Sequence, residues 1–337
     1  MKKLIKEVMQ WGIAFGIAAM VVSLLCFPYY RQTGWIERTG NATSAIWEPN
    51  TVLVNMVEGA GIVRVDENGY LNPMGAVLSE ELVLCMGASY TQAKEVMPSE
   101  SYVGILNEML AQDEKLRVYN VSRDALFFPE MVQGVSAALS EFPQTKVLVL
   151  ETGNLDFSVE KLQNALEQRP YVEKERGTIL IENISARGKV KNAIKDYVPL
   201  LGVMKRQFSL MRGEGVTEEE GEIAEDEYGD SLRNVFSLMQ EEFSGQIIIL
   251  YHPMVTLNEN GTMSIDDSVM VDVFAKCCEE YGISFVDVGD DFLEDYENHY
   301  HVPYGYSNTT MGTGHINKWG HQVIARALYD AIEEGMR

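Results

Sequence analysis

The sequence predicts an α/β protein: a three-layer, flavodoxin-like parallel sheet preceded by an N-terminal transmembrane helix. Three observations predict it. From Leu82 onward, continuous apolar runs alternate with helical segments, as strands do when helices cover both faces of their sheet. The runs end in short turns carrying Gly, Ser and Asn, and such a sheet builds its site at the carboxyl ends of its strands. Ahead of all this, no charged side chain occurs from Val8 to Tyr30.

Composition narrows the class. The chain has 337 residues, 46% of them hydrophobic and 23% charged, which is globular. A net charge of -23 repels phosphate backbones and argues against nucleic acid as a partner. The four cysteines, Cys26, Cys85, Cys277 and Cys278, lack metal-ligand spacing and are expected to be reduced and structural.

Residues 1–31 read as a cytoplasmic tip and a membrane anchor. At ~1.5 Å per residue the uncharged stretch can span a hydrocarbon core of about 30 Å. Trp11 stands near one end and Tyr29 and Tyr30 at the other, as interfacial aromatics do. Lys2, Lys3 and Lys6 precede the span, which places the N-terminus in the cytoplasm and the remainder outside. "LLCFPYYRQ" offers no small-x-small cleavage site, and bulky Leu25 before Cys26 suits lipoprotein processing poorly, so the anchor is expected to stay uncleaved. Residues 32–80 read as a stalk and a small β-rich lead-in, with "TVLVNM" and "GIVRV" as strands and "DENGYLNP" as a turn.

Residues 81–337 hold the α/β domain. Its expected strands are Leu82–Met86, Leu116–Val121, Lys146–Glu151, Gln246–Tyr251 and Ser284–Val288. Its expected helices are Glu100–Ala111, Pro129–Leu139, Val159–Leu166, Asp267–Tyr281 and Lys318–Glu334. The acidic segment of residues 213–230, "GEGVTEEEGEIAEDEYGD", reads as a solvated insertion and lacks calcium-loop spacing.

Three strand ends and one late segment share a chemistry. "GAS" follows the first strand with Ser89, "NVSRDA" the second with Asn120 and Ser122, and "ETGNLD" the third with Gly153 and Asn154. "GTGHINKWGHQ", with His315 and His321, precedes the last helix. Each alone has a plainer explanation: Ser89 as a helix cap, Asn154 as a turn residue, His321 as a helix start. Together they supply a hydroxyl, a base that can take its proton, and donors for an oxyanion.

These motifs resemble those of the SGNH (GDSL-like) hydrolase family. "LCMGASYT" is similar to the first motif, with Ala88 where Asp is usual, and "VYNVSRDA" to the second, with Ser122 where Gly is usual. "LETGNLD" is similar to the third, with Thr152 replacing a Gly and Asp156 one position late, and "GHINKWGHQVIARAL" to the last. The resemblance implies Ser89 as nucleophile and His315 as base. Its oxyanion hole would be the Ser89 N–H, the Ser122 N–H and the Asn154 side chain, and it needs no metal or organic cofactor. It departs at Gly312, where the family carries an Asp three residues before the base. Asn308, a backbone carbonyl, Asp287 and Asp290 stand as candidates to orient the ring.

The expected function is therefore a Ser-dependent esterase of a membrane-anchored, extracytoplasmic protein, acting on O-acetyl esters of cell-envelope glycans. A glycan O-acetyltransferase uses the same residues, and a non-catalytic envelope binding module would keep the same fold. A lipase or lysophospholipase would need an apolar cleft near the membrane. His252 in "LYHP" reads as a turn residue, and the H-x-H of His299 and His301 beside Glu297 as a remote candidate for metal. The tyrosines of "YHVPYGYSN" read as a cleft-lining loop suited to stacking on sugar rings.

Overall fold

A computed structural model describes residues 2–26, 28–32, 35–37, 45–72, 81–111, 116–166 and 224–336, with isolated positions between 200 and 208. In chain order, helix α1 (Lys2–Cys26) leads to the short strands β1 (Tyr30–Arg31), β2 (Trp35–Glu37), β3 (Ala45–Trp47), β4 (Val52–Asn55) and β5 (Gly61–Arg64). The α/β part begins with β6 (Leu82–Met86), α2 (Ser89–Gln92), α3 (Tyr102–Ala111), β7 (Arg117–Asn120), α4 (Phe128–Glu141), β8 (Thr145–Thr152) and α5 (Val159–Ala165). It continues with α6 (Glu225–Glu242), β9 (Gln246–Tyr251), β10 (Met254–Leu257), β11 (Met263–Asp266), α7 (Val271–Glu280), β12 (Ser284–Asp287), α8 (Gly289–His299) and α9 (Lys318–Gly335).

The five apolar runs form one parallel sheet in the order β12-β9-β8-β6-β7. Counted along the sheet's own strands this is the flavodoxin-like order, whose switch point lies between the first and third strands, here β6 and β8. Side chains alternate across the sheet. Leu82, Leu84, Leu148, Leu150, Ile247 and Ile249 pack into one core with the helices α4 to α7. Val83, Cys85, Val147, Val149, Ile248 and Leu250 pack into the other with α3, α8 and α9. Sandwiched strands can be apolar at every position, which is why the sequence shows runs and not alternation. Cys85, Cys277 and Cys278 are buried, and all four cysteines are free thiols.

Besides the one-turn α2, two helices escape the sequence pattern. Glu225–Asp230, expected as the end of the acidic insertion, forms the first turns of α6. Three acids in its first turn favour the positive end of the helix dipole, and Tyr228, Leu232, Val235, Phe236 and Met239 bury one face. Residues 213–223 of that insertion lie outside the described residues. Helix α8 carries five acids among its eleven residues, and of its side chains only Phe292 is fully buried. Helix α7 starts four residues later than its apolar pattern suggests, because Met263–Asp266 pairs with Met254–Leu257 in an antiparallel ribbon.

The lead-in is docked onto the α/β part. Strands β1, β4 and β5 form an antiparallel sheet over a small core of Trp47, Leu53, Val63, Val65 and Leu71, while Ile46 and Tyr70 enter the main core. In the "DENGYLNP" turn, Asp66 Oδ1 accepts the N–H groups of Asn68 and Tyr70, and Asp66 Oδ2 accepts the Tyr119 hydroxyl at 2.6 Å. Asn72 pairs like a strand with the edge strand β7: its Oδ1 accepts the Asn120 N–H at 2.7 Å and its Nδ2 donates to the Asn120 carbonyl at 3.2 Å. That satisfies backbone groups of an otherwise open edge.

Helix α1 is the one candidate span among the described residues, Lys3–Cys26, with mean hydropathy 2.0 and 6% of its most apolar window buried. Such a helix is long and apolar enough to cross a membrane or to serve as a signal sequence.

Asn72→Ala strips its side-chain bonds from the Asn120 backbone N–H and carbonyl. A buried polar group left unpaired costs about 1–3 kcal/mol, so urea unfolding should show a midpoint lowered by that amount of stability, with the slope unchanged.

Candidate active site

Strand β6 delivers its chain end at the switch point, followed by Gly87, Ala88 and Ser89, the first residue of α2. A side chain at Gly87 would put its Cβ 2.0 Å from Thr91 Oγ1 and 2.5 Å from Glu151 Oε2, so the tight turn admits only glycine. Ser89 is partly exposed at the head of this turn, and the first N–H groups of a helix have no intrahelical acceptor.

His315 arrives from the other end of the chain. Asn317 caps α9 by accepting from the Trp319 and Gly320 N–H groups, and it donates to the carbonyls of Val302 and Gly305. This fixes the loop just before it, and the Gly305 N–H donates to the His315 carbonyl. The ring is thereby held between two partners: its Nε2 lies 3.0 Å from Ser89 Oγ, and its Nδ1 lies 2.9 Å from Glu58 Oε1. The same Glu58 oxygen accepts the His315 backbone N–H at 3.0 Å.

Glu58 thus occupies the orienting position that Gly312 leaves open. It comes from the lead-in, in the turn between β4 and β5. Asn55 Oδ1 accepts the Val57 and Glu58 N–H groups. Gly59 adopts φ +71°, and a Cβ there would lie 2.0 Å from the Glu95 carbonyl oxygen. The approach of Glu58 to the His315 loop also requires Gly314, where a Cβ would sit 2.6 Å from Glu58 Oε1. Asn308 does not touch the ring. It accepts the Gly59 N–H at 3.0 Å and donates to the carbonyls of Met56 and Gly59, clamping the turn that carries Glu58. Asp287 accepts the Gly289 N–H at the start of α8, and neither it nor Asp290 bonds to His315 among the described residues.

A second carboxylate stands behind the first. Glu95 Oε1 is 4.0 Å from His315 Nδ1 and accepts from Asn55 Nδ2 at 3.0 Å, while its Oε2 is buried with no hydrogen-bond partner among the described residues. Burial raises the Glu95 pKa, against the opposing pull of His315 and Lys94. For His315, burial works against the charged ring, but Glu95 and then Glu58 outweigh it and raise its pKa above the ordinary 6.5. His321 goes the other way: burial, reinforced by the nearby His252 and His315, pushes it down to about 3. It is therefore a neutral, buried residue in the first turn of α9.

The remaining predicted site residues are placed as follows. Asn154 is exposed just beyond β8. Its Oδ1 accepts the Asp156 N–H and the Ser268 hydroxyl, which leaves the Nδ2 group without an acceptor among the described residues. The Ser122 N–H is engaged: Asn120 Oδ1 accepts it at 2.9 Å, and the Ser122 hydroxyl points to the same oxygen. His252 is not a surface turn residue but fully buried, 2.7 Å from Glu151. Tyr304 is buried, and Tyr306, partly buried, donates to the Ile316 carbonyl, so both hydroxyls are spent on the protein's own backbone; Tyr300 is exposed. His299 and His301 bond to Asp295, at 3.0 and 3.1 Å, and not to Glu297. Among the described residues, Asp295–His299–His301 and Glu58–Glu95–His315 are the groups whose ligand atoms lie within 4.8 Å of one another.

Glu58 and Glu95 escape sequence reasoning. The available signal was an acid inside apolar surroundings: "VNMVEGAGIVRV" carries a single carboxylate between two strands, and buried carboxylates have partners.

No protein-family model matches the chain, and no curated protein matches it. Solved structures with a similar course of the chain include the psychrotrophic esterase EstA from a Pseudoalteromonas species, 12% identical over 76% of this chain and 98% of that one, TM-score 0.40. An acetyl xylan esterase is 11% identical over 74% of this chain and 99% of that one, TM-score 0.41. A Bacillus subtilis protein is 10% identical over 90% of this chain and 75% of that one, TM-score 0.43. Likeness at this level says nothing of substrate.

His315 is expected to titrate above 6.5 when followed by NMR of its ring protons, and Glu95→Gln should move it toward acid. Its raised value also stabilises the fold below the ordinary histidine pKa, a contribution lost as pH rises through the folded-state value. A His315 titration below 6.5, or one indifferent to Glu95→Gln, would show that these carboxylates do not act on the ring.

Proposed function

We propose that the chain is a serine esterase of SGNH type, with Ser89 as nucleophile, His315 as general base and then acid, and Glu58 as the carboxylate that orients the ring. One observation carries the reading: a hydroxyl, an imidazole and a buried carboxylate are in line, at 3.0 and 2.9 Å. A serine hydroxyl becomes nucleophilic when a neighbouring base takes its proton. Ser89 Oγ attacks the ester carbonyl while its proton passes to Nε2, and Glu58 stabilises the imidazolium from Nδ1. The tetrahedral oxyanion is held by the Ser89 N–H and Asn154 Nδ2. The Ser122 N–H joins them only by turning away from Asn120 Oδ1. Nε2 then protonates the departing alkoxide, and water, activated by the same ring, releases the acyl group. Metal and organic cofactors are not needed for these steps.

We read α1 as a membrane anchor, with Lys2, Lys3 and Lys6 holding its start in the cytoplasm and the α/β part outside. Among the esters within reach of an anchored enzyme there, the proposed substrates are short acyl esters of envelope glycans, O-acetyl groups first.

The detergent-solubilised full chain should release acetate from p-nitrophenyl acetate and from O-acetylated glycan. Ser89→Ala and His315→Ala should fall to background, and Glu58→Ala should lose ~10²–10⁴-fold, in the range of an acid–base contribution. Because the base must be neutral and its pKa is raised, kcat/KM should rise with pH through a midpoint above 6.5. Equal rates in all four folded proteins would exclude the esterase and favour a binding module.

A further inference from the structure

A second acid–imidazole pair lies directly beneath the proposed nucleophile, and the steps above do not use it. Glu151, near the end of β8, and His252, just after β9, are 1% and 0% exposed. His252 Nε2 is 2.7 Å from Glu151 Oε1. Glu151 Oε2 accepts two further bonds, both at 2.8 Å: the Ala88 N–H immediately before Ser89, and the Thr91 hydroxyl two residues after it. One carboxylate therefore grips the turn on both sides of the hydroxyl. Thr91 is in turn braced 2.8 Å from the Tyr102 hydroxyl.

His252 Nδ1 lies 2.9 Å from the Tyr304 hydroxyl, which also faces the His252 and Pro253 carbonyls at 3.1 and 2.9 Å, so both ring nitrogens are engaged. Burial opposes the charge on Glu151, yet the bonds from His252, Thr91 and Ala88 hold its pKa below the usual value. The Tyr90 ring stands edge-on 4.7 Å from His252 and 5.5 Å from His315, between the two imidazoles. On its far side His252 meets Gly153, where a Cβ would lie 2.8 Å from its Cε1. The same ring therefore borders the turn that carries Asn154.

We propose that Glu151 and His252 are positioning residues: a buried carboxylate–imidazole pair that fixes the Ser89 turn against the Asn154 turn. A buried carboxylate is costly unless its lone pairs are satisfied. Here the leftover acceptor capacity is spent on the nucleophile turn, a use tied to geometry at Ser89. Its kinetic arm rests on the esterase reading, and its spectroscopic arm does not.

The test uses the full chain labelled with ¹⁵N. Amide exchange at Ala88 should be slow in the wild type, and Glu151→Gln should speed it. With p-nitrophenyl acetate, Glu151→Gln should lower kcat about 10²-fold, the scale of a small misplacement of reacting groups, with KM changed less than about twofold. Thr91→Val keeps the Glu151–His252 bond and removes one grip, so it should still lower kcat. This second variant decides the matter if Glu151→Gln does not fold. Wild-type Ala88 exchange in folded Glu151→Gln, or a folded variant with wild-type kcat, overturns the proposal. If the wild type hydrolyses no ester, the esterase reading fails separately. Ala88 exchange then judges the pair, and unchanged exchange in Glu151→Gln overturns it.

Discussion

The bond between Glu58 and His315 joins residues 257 positions apart, and the arrangement of the rest of the molecule serves it. It brings a carboxylate from the lead-in to a ring delivered by the last loop, across the end of a sheet that belongs to neither. A bond of 2.9 Å between such distant segments needs each held by contacts of its own. The lead-in is held through Asp66 on Tyr119, Asn72 on Asn120, and Ile46 and Tyr70 in the main core. The ring is held by the Asn317 cap and the loop bonds behind it. Asn308 joins the two segments directly. The backbone pays by placing glycine at 59 and 314, where no side chain fits.

The two acid–imidazole pairs differ in their access to water, and that difference assigns their parts. His315 keeps about a fifth of its side-chain surface exposed, as the proposed proton transfer requires. His252 has no exposure, and both its ring nitrogens are engaged by buried partners. The first pair is suited to moving a proton, the second to holding a geometry. Both converge on α2, one on the Ser89 hydroxyl and the other on the backbone and side chain that flank it.

Much of this was legible in the sequence, for physical reasons. Strands buried on both faces must be apolar at each position, so Leu82–Met86 and Gln246–Tyr251 announce themselves with the bounds observed. The switch-point rule then puts Ser89 and Asn154 at one end of the sheet. Helix α6 was obscured because its acids dominate composition, although Tyr228, Leu232, Val235 and Met239 keep the helical spacing. Glu58 was illegible as a partner of His315, because nothing local tells a strand-turn acid which distant ring it will meet. By the resemblance to the SGNH motifs, Gly312 stands where an orienting acid was expected, and Glu58 meets the ring from a segment far away in the chain. Tyr304 misled for a related reason: an aromatic loop looks the same in sequence whether a ring faces a ligand or its own scaffold.

The central claim is that His315 and Glu58 activate Ser89 above the chain's other hydroxyls. The most direct measurement is peptide mapping by mass spectrometry after treating the full chain with diethyl p-nitrophenyl phosphate, which traps an activated serine covalently. The account predicts a diethylphosphoryl group on Ser89, lost when the chain is unfolded beforehand. A folded chain that leaves Ser89 unmodified, or takes the label on another serine, would contradict it.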